Sequence, residues 1–136
     1  MNILALRSAL RLDEGVRMRA YQDSVGVWTI GVGHNLQDRP VSQAVVDMIL
    51  QDDIDAAVGD LDAHVSWWRN LNDVRQNVMV NLCFNMGMAR LLTFHKFLSA
   101  AQTGEWATAK AELLNSLWAS QVGARAVRLA NEFETG

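Results

Sequence analysis

The sequence predicts an α+β fold that is mostly helical, and two kinds of pattern support that prediction. Apolar residues recur at helical spacing over long stretches, from residue 42 to about 64 and again over 72–86. Residues 27–33 instead alternate as a strand does, and they follow a turn-forming sequence that begins at Asp23. Helices therefore dominate, and a small hairpin near the N-terminus supplies the β component.

Glycine, proline and a capping serine set the boundaries of these elements. Gly15 and Gly87 are predicted helix stops, Pro40 disfavours helix at the residue before it, and Ser42 is available as an N-cap. The helix that starts there would be about 30 Å long at 1.5 Å per residue. The predicted order is helix 2–14, hairpin 20–34, loop 35–40, helix 42–64, helix 72–86 and shorter helices over 91–102, 105–115 and 123–133, with 116–122 as a separator.

Composition restricts the function classes. Half of the 136 residues are hydrophobic and a fifth are charged, as in an ordinary globular domain, and a net charge of −3 gives no basic footprint for nucleic acid. Cys83 is the single cysteine and lies in an apolar run, so we expect a buried, inert thiol. No stretch has the roughly 18 apolar residues of a membrane span, and we expect no signal peptide.

Two carboxylates and a hydroxyl in the N-terminal region are the strongest candidates for chemistry. Glu14 closes the first predicted helix, Asp23 opens the turn and Thr29 lies on the following strand. A protonated carboxylic acid and an ionised carboxylate are the pair that cleaves a glycosidic bond. Their spacing alone leaves a simpler interpretation open, in which Glu14 is a helix-end charge and Asp23 only forms the turn.

The complete string around these residues favours the catalytic interpretation. Glu14, eight residues, Asp23, five residues and Thr29, set within DEG, AYQDSVG and TIGVGH, resemble the catalytic segment of phage-type lysozymes, glycoside hydrolase family 24. The resemblance continues in the family's order through Asn81, the sequence FNMG at 84–87, and GEW at 104–106, to the C-terminus. It therefore covers nearly the whole chain.

The resemblance implies a muramidase that hydrolyses, with inversion, the β-1,4 bond between N-acetylmuramic acid and N-acetylglucosamine in bacterial peptidoglycan. Glu14 would be the general acid, Asp23 would position or activate the water, and Thr29 would help to hold it. Such an inverting pair is expected to lie about 6.5 to 9.5 Å apart. No cofactor or metal is implied, and the expected partner is peptidoglycan, without nucleic acid or stable membrane insertion.

The resemblance also assigns supporting residues and an architecture. Asn85, Phe94 and Gln121 match positions that line the substrate cleft. Three ion pairs are implied: Arg125 with Glu14, Arg128 with Asp13, and His34 with Asp53. We expect one monomeric lysozyme-like domain over 1–136, with a hairpin lobe at about 14–50, a long connecting helix, and a helical lobe at about 65–136 that includes helix 2–14. Synthesis is expected in the cytoplasm of a host bacterium, before release to the wall.

Two other functions remain open at this stage. A lytic transglycosylase also needs a catalytic glutamate, but it works without the Asp23 and Thr29 pair and leaves an anhydro sugar end. A non-catalytic peptidoglycan-binding module would have no reason to keep all three candidate residues. A metal site is less favoured, because His34, His64 and His95 are scattered and lack ligand spacing.

Overall fold

The structure is a computed structural model that describes every residue from Met1 to Gly136. It contains eight α-helices and one three-stranded antiparallel sheet, which confirms the predicted α+β, mostly helical class. The chain divides into two compact units, Met1–Met48 and Ile49–Gly136, with the boundary inside a long helix.

The first unit begins with helix α1 (Ile3–Glu14) and continues into the sheet. The side chain of Asn2 caps α1 by accepting from the backbone N–H of Ala5 at 3.1 Å, and the helix ends at Gly15, whose φ is 75°. The strands are β1 (Arg17–Gln22), β2 (Trp28–Gly31) and β3 (His34–Asn35), in the order β1-β2-β3. In this register Thr29 pairs with Tyr21 on β1 and with Asn35 on β3.

Helix α2 (Gln43–His64) follows and crosses the boundary between the units. The Ser42 hydroxyl accepts from the backbone N–H of Val45 at 3.3 Å, so the predicted N-cap is confirmed. Near the other end of α2, Asp62 accepts hydrogen bonds from the indole N–H of Trp68 and from Nε of Arg69, both at 2.8 Å. These bonds join the end of α2 to a short 3-10 turn, Trp68–Asn70.

The second unit continues with six further helices and holds the apolar core. Asn72 caps α3 and Ser116 caps α7 through their side-chain oxygens. The largest fully buried side chains include Trp68, Phe97, Trp118 and Phe133, all within this unit. The helices are α3 (Asp73–Met86), α4 (Met88–Leu91), α5 (His95–Thr103), α6 (Trp106–Leu114), α7 (Leu117–Val122) and α8 (Ala124–Thr135).

Three details differ from the sequence-based expectation. The stretch 116–122 is not a separator, because α7 forms there and buries Trp118. The helix expected over 91–102 begins only at His95, as α5, and the separate short helix α4, which ends at Leu91, was not predicted. The strand expected to reach Gly33 ends at Gly31, because a two-residue turn leads from β2 into β3.

Candidate active site

Glu14 is the last residue of α1, and its carboxylate lies against the turn that follows β2. A Cβ atom placed on Gly33 would be 2.9 Å from Oε2 of Glu14 and 3.2 Å from its Cδ. None of the three ion pairs in the structure involves Glu14. Glu14 is therefore exposed at the end of α1 beside Gly33, and its carboxylate has no ion-pair partner within its own unit.

Asp23 uses one side-chain oxygen for the turn and leaves the other free. Oδ1 accepts from the backbone N–H of Val25 at 2.9 Å and of Val27 at 2.8 Å. The backbone N–H of Asp23 donates in return to the carbonyl of Val27 at 3.0 Å. This is the local side-chain-to-backbone pattern that aspartate forms in turns. Oδ2 takes part in none of these bonds and remains available as an acceptor.

Thr29 is the single buried polar residue of the chain, with 5% of its surface exposed. Its hydroxyl donates to the carbonyl of Val27 at 2.9 Å. The hydroxyl proton is therefore committed to the backbone, and the lone pairs of Oγ1 remain free to accept. Because the side chains of Asp23 and Thr29 both bond to Val27, one residue's backbone fixes both candidate side chains.

The predicted substrate-binding residues lie in the second unit, and two of them are held by hydrogen bonds. Asn85 Oδ1 accepts from the indole N–H of Trp118 at 2.7 Å, and Gln121 Oε1 accepts from Arg90 at 2.8 Å. Each amide therefore presents its N–H₂ group to other acceptors. Phe94 lines a cavity of about 420 Å³.

The two predicted supporting arginines have partners within their own unit. Arg125 donates through Nε and Nη2 to Oδ1 of Asn81, at 3.2 and 2.6 Å. It also lines a cavity of about 480 Å³. Arg128 pairs with Glu132 one helical turn away, at 3.1 Å. Asn81 is a neutral partner, so the positive charge of Arg125 is not balanced by this contact.

His34 and Asp53 occupy different environments. Nε2 of His34 is buried without a hydrogen-bond partner. Asp53 is exposed and lines a cavity of about 320 Å³ beside Cys83, where burial raises the pKa of the thiol. The predicted pairs of Arg125 with Glu14, of Arg128 with Asp13 and of His34 with Asp53 each join residues from different units. They stay predictions.

Two features of the site were not predicted from the sequence. The first is the role of Val27, whose backbone N–H and carbonyl hold Asp23 and Thr29. A sequence motif reports side chains, so it does not show a backbone contact that depends on the turn geometry. The second is Gly33, which was recognised only as part of a string; the sole sequence signal for its contact with Glu14 is a glycine at a strand end.

No cluster of three or more possible metal ligands occurs, and no helix combines the length and apolarity needed to cross a membrane.

Comparison with known proteins identifies related chains. The chain is 24% identical to the probable T4-type lysozyme 1 of Dictyostelium discoideum, over 98% of this chain and 96% of that protein. It is 27% identical to the pre-baseplate central spike protein Gp5 of Enterobacteria phage T4, over 98% of this chain and 28% of Gp5. It is 30% identical to an endolysin of Acyrthosiphon pisum secondary endosymbiont phage 1, over 74% and 69% of the two chains.

A family model described as phage lysozyme matches residues 12–131, a range that begins just before Glu14 and includes Asp23 and Thr29. The alignment with the Dictyostelium protein extends over 163 positions, so that relative carries residues with no counterpart among the 136 of this chain. The match nevertheless covers both compact units, and the chain belongs to the phage lysozyme family of glycoside hydrolases.

Proposed function

We propose that this chain hydrolyses the β-1,4 bond between N-acetylmuramic acid and N-acetylglucosamine in bacterial peptidoglycan, with Glu14 as general acid and Asp23 and Thr29 placing the water. Family membership supports the muramidase class. The observation that carries the residue assignment is the shared bonding of Asp23 and Thr29 to Val27, which leaves one acceptor free on each side chain.

In the first part of this mechanism, Glu14 acts on the leaving group. Its protonated carboxyl gives the proton to the glycosidic oxygen as the bond to the anomeric carbon breaks. The exposed position of the carboxylate and the absence of an ion-pair partner in its own unit are compatible with contact to a bound glycan.

In the second part, water attacks the anomeric carbon from the opposite face. The water donates one hydrogen bond to Oδ2 of Asp23 and the other to Oγ1 of Thr29, so its lone pair is directed at the sugar. Asp23 takes the proton as the new carbon–oxygen bond forms, and the anomeric configuration is inverted. Solvent then returns Asp23 to its ionised form and Glu14 to its protonated form.

The remaining assignments extend this proposal to binding and biology. Asn85, Phe94 and Gln121 would contact the glycan, the first and last through their free amide N–H₂ groups. Arg125 would pair with Glu14. In support of this pair, the guanidinium of Arg125 donates within its own unit only to the neutral side chain of Asn81, so its charge is free to interact with a carboxylate. We expect a monomeric endolysin, made in the cytoplasm of a host bacterium and released to the wall at lysis.

Mass analysis of the muropeptides released from purified peptidoglycan tests the proposal. The wild-type protein is expected to release products with reducing muramic acid ends. Glu14→Gln keeps the shape of the side chain but removes the proton donor, so it should lower the rate at least about 100-fold with an unchanged melting temperature.

Each other outcome of this experiment is informative. Anhydro products would assign a lytic transglycosylase instead of a hydrolase. Wild-type rates from Glu14→Gln would remove Glu14 from the mechanism. If the folded wild-type protein binds peptidoglycan but releases nothing, a non-catalytic binding module replaces the enzyme.

A further inference from the structure

We propose that Gly33 is a positioning residue, whose missing side chain leaves the space that the carboxylate of Glu14 occupies. The inference concerns where the acid is held, and it rests on the proposed function only for its catalytic consequence. Gly33 itself touches no reacting atom in this proposal. It acts by deciding where Glu14 can lie.

The distances around Gly33 carry this inference. A Cβ atom at Gly33 would lie 2.9 Å from Oε2, 3.2 Å from Cδ and 3.5 Å from Cγ of Glu14. The shortest of these is closer than non-bonded carbon and oxygen atoms approach, so one of the two groups would have to move. The carboxylate is the flexible end of a long side chain, and it would therefore move before the backbone does.

Comparison with Gly31, two residues earlier, distinguishes the effect of this contact from the effect of backbone strain. Its φ is 67° and that of Gly33 is 66°, so an alanine would be strained at both positions to a similar degree. A Cβ atom at Gly31, however, meets no atom within 4 Å. The positive φ can explain a glycine at either position, but only at Gly33 would a side chain also collide with Glu14.

Displacement of the carboxylate matters because a general acid must reach the leaving oxygen at hydrogen-bond distance. Misplacement of a reacting group by about 1 Å can cost about 100-fold in rate. Within the first unit no ion pair holds Glu14, and the contact with Gly33 limits where its carboxylate can lie.

The variants Gly33→Ala and Gly31→Ala, measured on soluble peptidoglycan, form the first test. Both should lose thermal stability to a similar extent, because both place a methyl group on a backbone with positive φ. Gly33→Ala should lower kcat about 100-fold with KM little changed, whereas Gly31→Ala should keep kcat close to that of the wild type. Equal losses of kcat in the two variants would overturn the inference.

A second measurement does not depend on activity. The side-chain carboxyl resonance of Glu14 is followed by NMR after selective ¹³C labelling of glutamate, and its absence from Glu14→Gln gives the assignment. The resonance should move in Gly33→Ala and stay in place in Gly31→Ala. An unmoved resonance in Gly33→Ala overturns the inference even if the wild type is an active muramidase, and a moved one supports it even if the proposed function fails.

A double variant covers the case in which Gly33→Ala does not fold. The double variant Glu14→Ala/Gly33→Ala removes the carboxylate that the new methyl group would meet. Its melting temperature should therefore equal that of the control double variant Glu14→Ala/Gly31→Ala. Recovery of the fold in the double variant would support the contact. An unfolded double variant beside a folded Gly31→Ala would show that Gly33 is needed for its backbone alone, and the inference would be wrong.

Discussion

At the residue scale, the two interpretations of Asp23 that the sequence leaves open turn out to be compatible. Oδ1 forms the turn by accepting from Val25 and Val27, and Oδ2 stays free for chemistry. The sequence predicted the turn because aspartate and glycine have strong local preferences, and it predicted the candidate residues through the resemblance of the whole string. It could not predict that Thr29 bonds to the same carbonyl that Asp23 does, since that depends on strand geometry.

Replacement of the Thr29 hydroxyl tests its role in water placement. Thr29→Val keeps the shape but removes both the bond to Val27 and the acceptor for water, so kcat should fall about 10- to 100-fold. The buried bond itself is expected to contribute about 1 kcal/mol to the free energy of unfolding. Steady-state kinetics on soluble peptidoglycan and urea unfolding measure the two effects separately.

Thr29→Ser is the matched control, because it keeps the hydroxyl and loses only a methyl group. It should retain most of the activity. If Thr29→Val is as active as Thr29→Ser, the hydroxyl does not hold the water and Asp23 acts without it.

At the element scale, most helices were predicted closely, but the two shortest, α4 and α7, were not. Caps and glycine stops located α2 and α3 to within about one residue, because these signals are local. Helix α7 was missed, since its six residues are too few to show a helical period. Its formation depends on the Ser116 cap and on the burial of Trp118, and the second of these is a tertiary effect.

The junction between α2 and the 3-10 turn should make stability depend on pH. Hydrogen bonds from Arg69 and Trp68 lower the pKa of Asp62 from 3.8 to about 2. A carboxyl whose pKa is depressed in the folded state stabilises that state above its ordinary pKa, and the contribution is lost as pH falls toward 2. Asp62→Asn should therefore lower the melting temperature at pH 6, and the difference from wild type should shrink below pH 4.

Asparagine keeps an oxygen that can accept from Trp68, so this variant tests the charge rather than the indole contact. Asp52→Asn is the control, since it removes the same charge from an exposed position on α2. A melting-temperature difference for Asp62→Asn that is constant from pH 6 to 2 would contradict the assigned cause.

At the scale of the whole molecule, the candidate catalytic residues and the apolar core lie in different units. Every buried hydrophobic residue belongs to Ile49–Gly136, and the single buried residue of Met1–Met48 is Thr29. The apolar residues of α1 are substantially exposed, with Leu6 at 40% and Leu10 at 43%. Periodicity predicts that a helix has an apolar face but does not identify what covers it. The predicted association of α1 with the helical lobe therefore stays a prediction.

The predicted pair of His34 and Asp53 would join the two units and can be tested by a double-mutant cycle. His34 Nε2 is buried without a partner, and such a group destabilises the fold unless another polar group satisfies it. If Asp53 supplies that partner, His34→Ala and Asp53→Asn should each destabilise the protein, and their urea-unfolding free energies should couple by about 1 kcal/mol or more. His34→Ala with Asp52→Asn should be additive, because Asp52 is the adjacent exposed carboxylate. Additivity within about 0.3 kcal/mol for His34 and Asp53 as well would show that His34 is satisfied elsewhere.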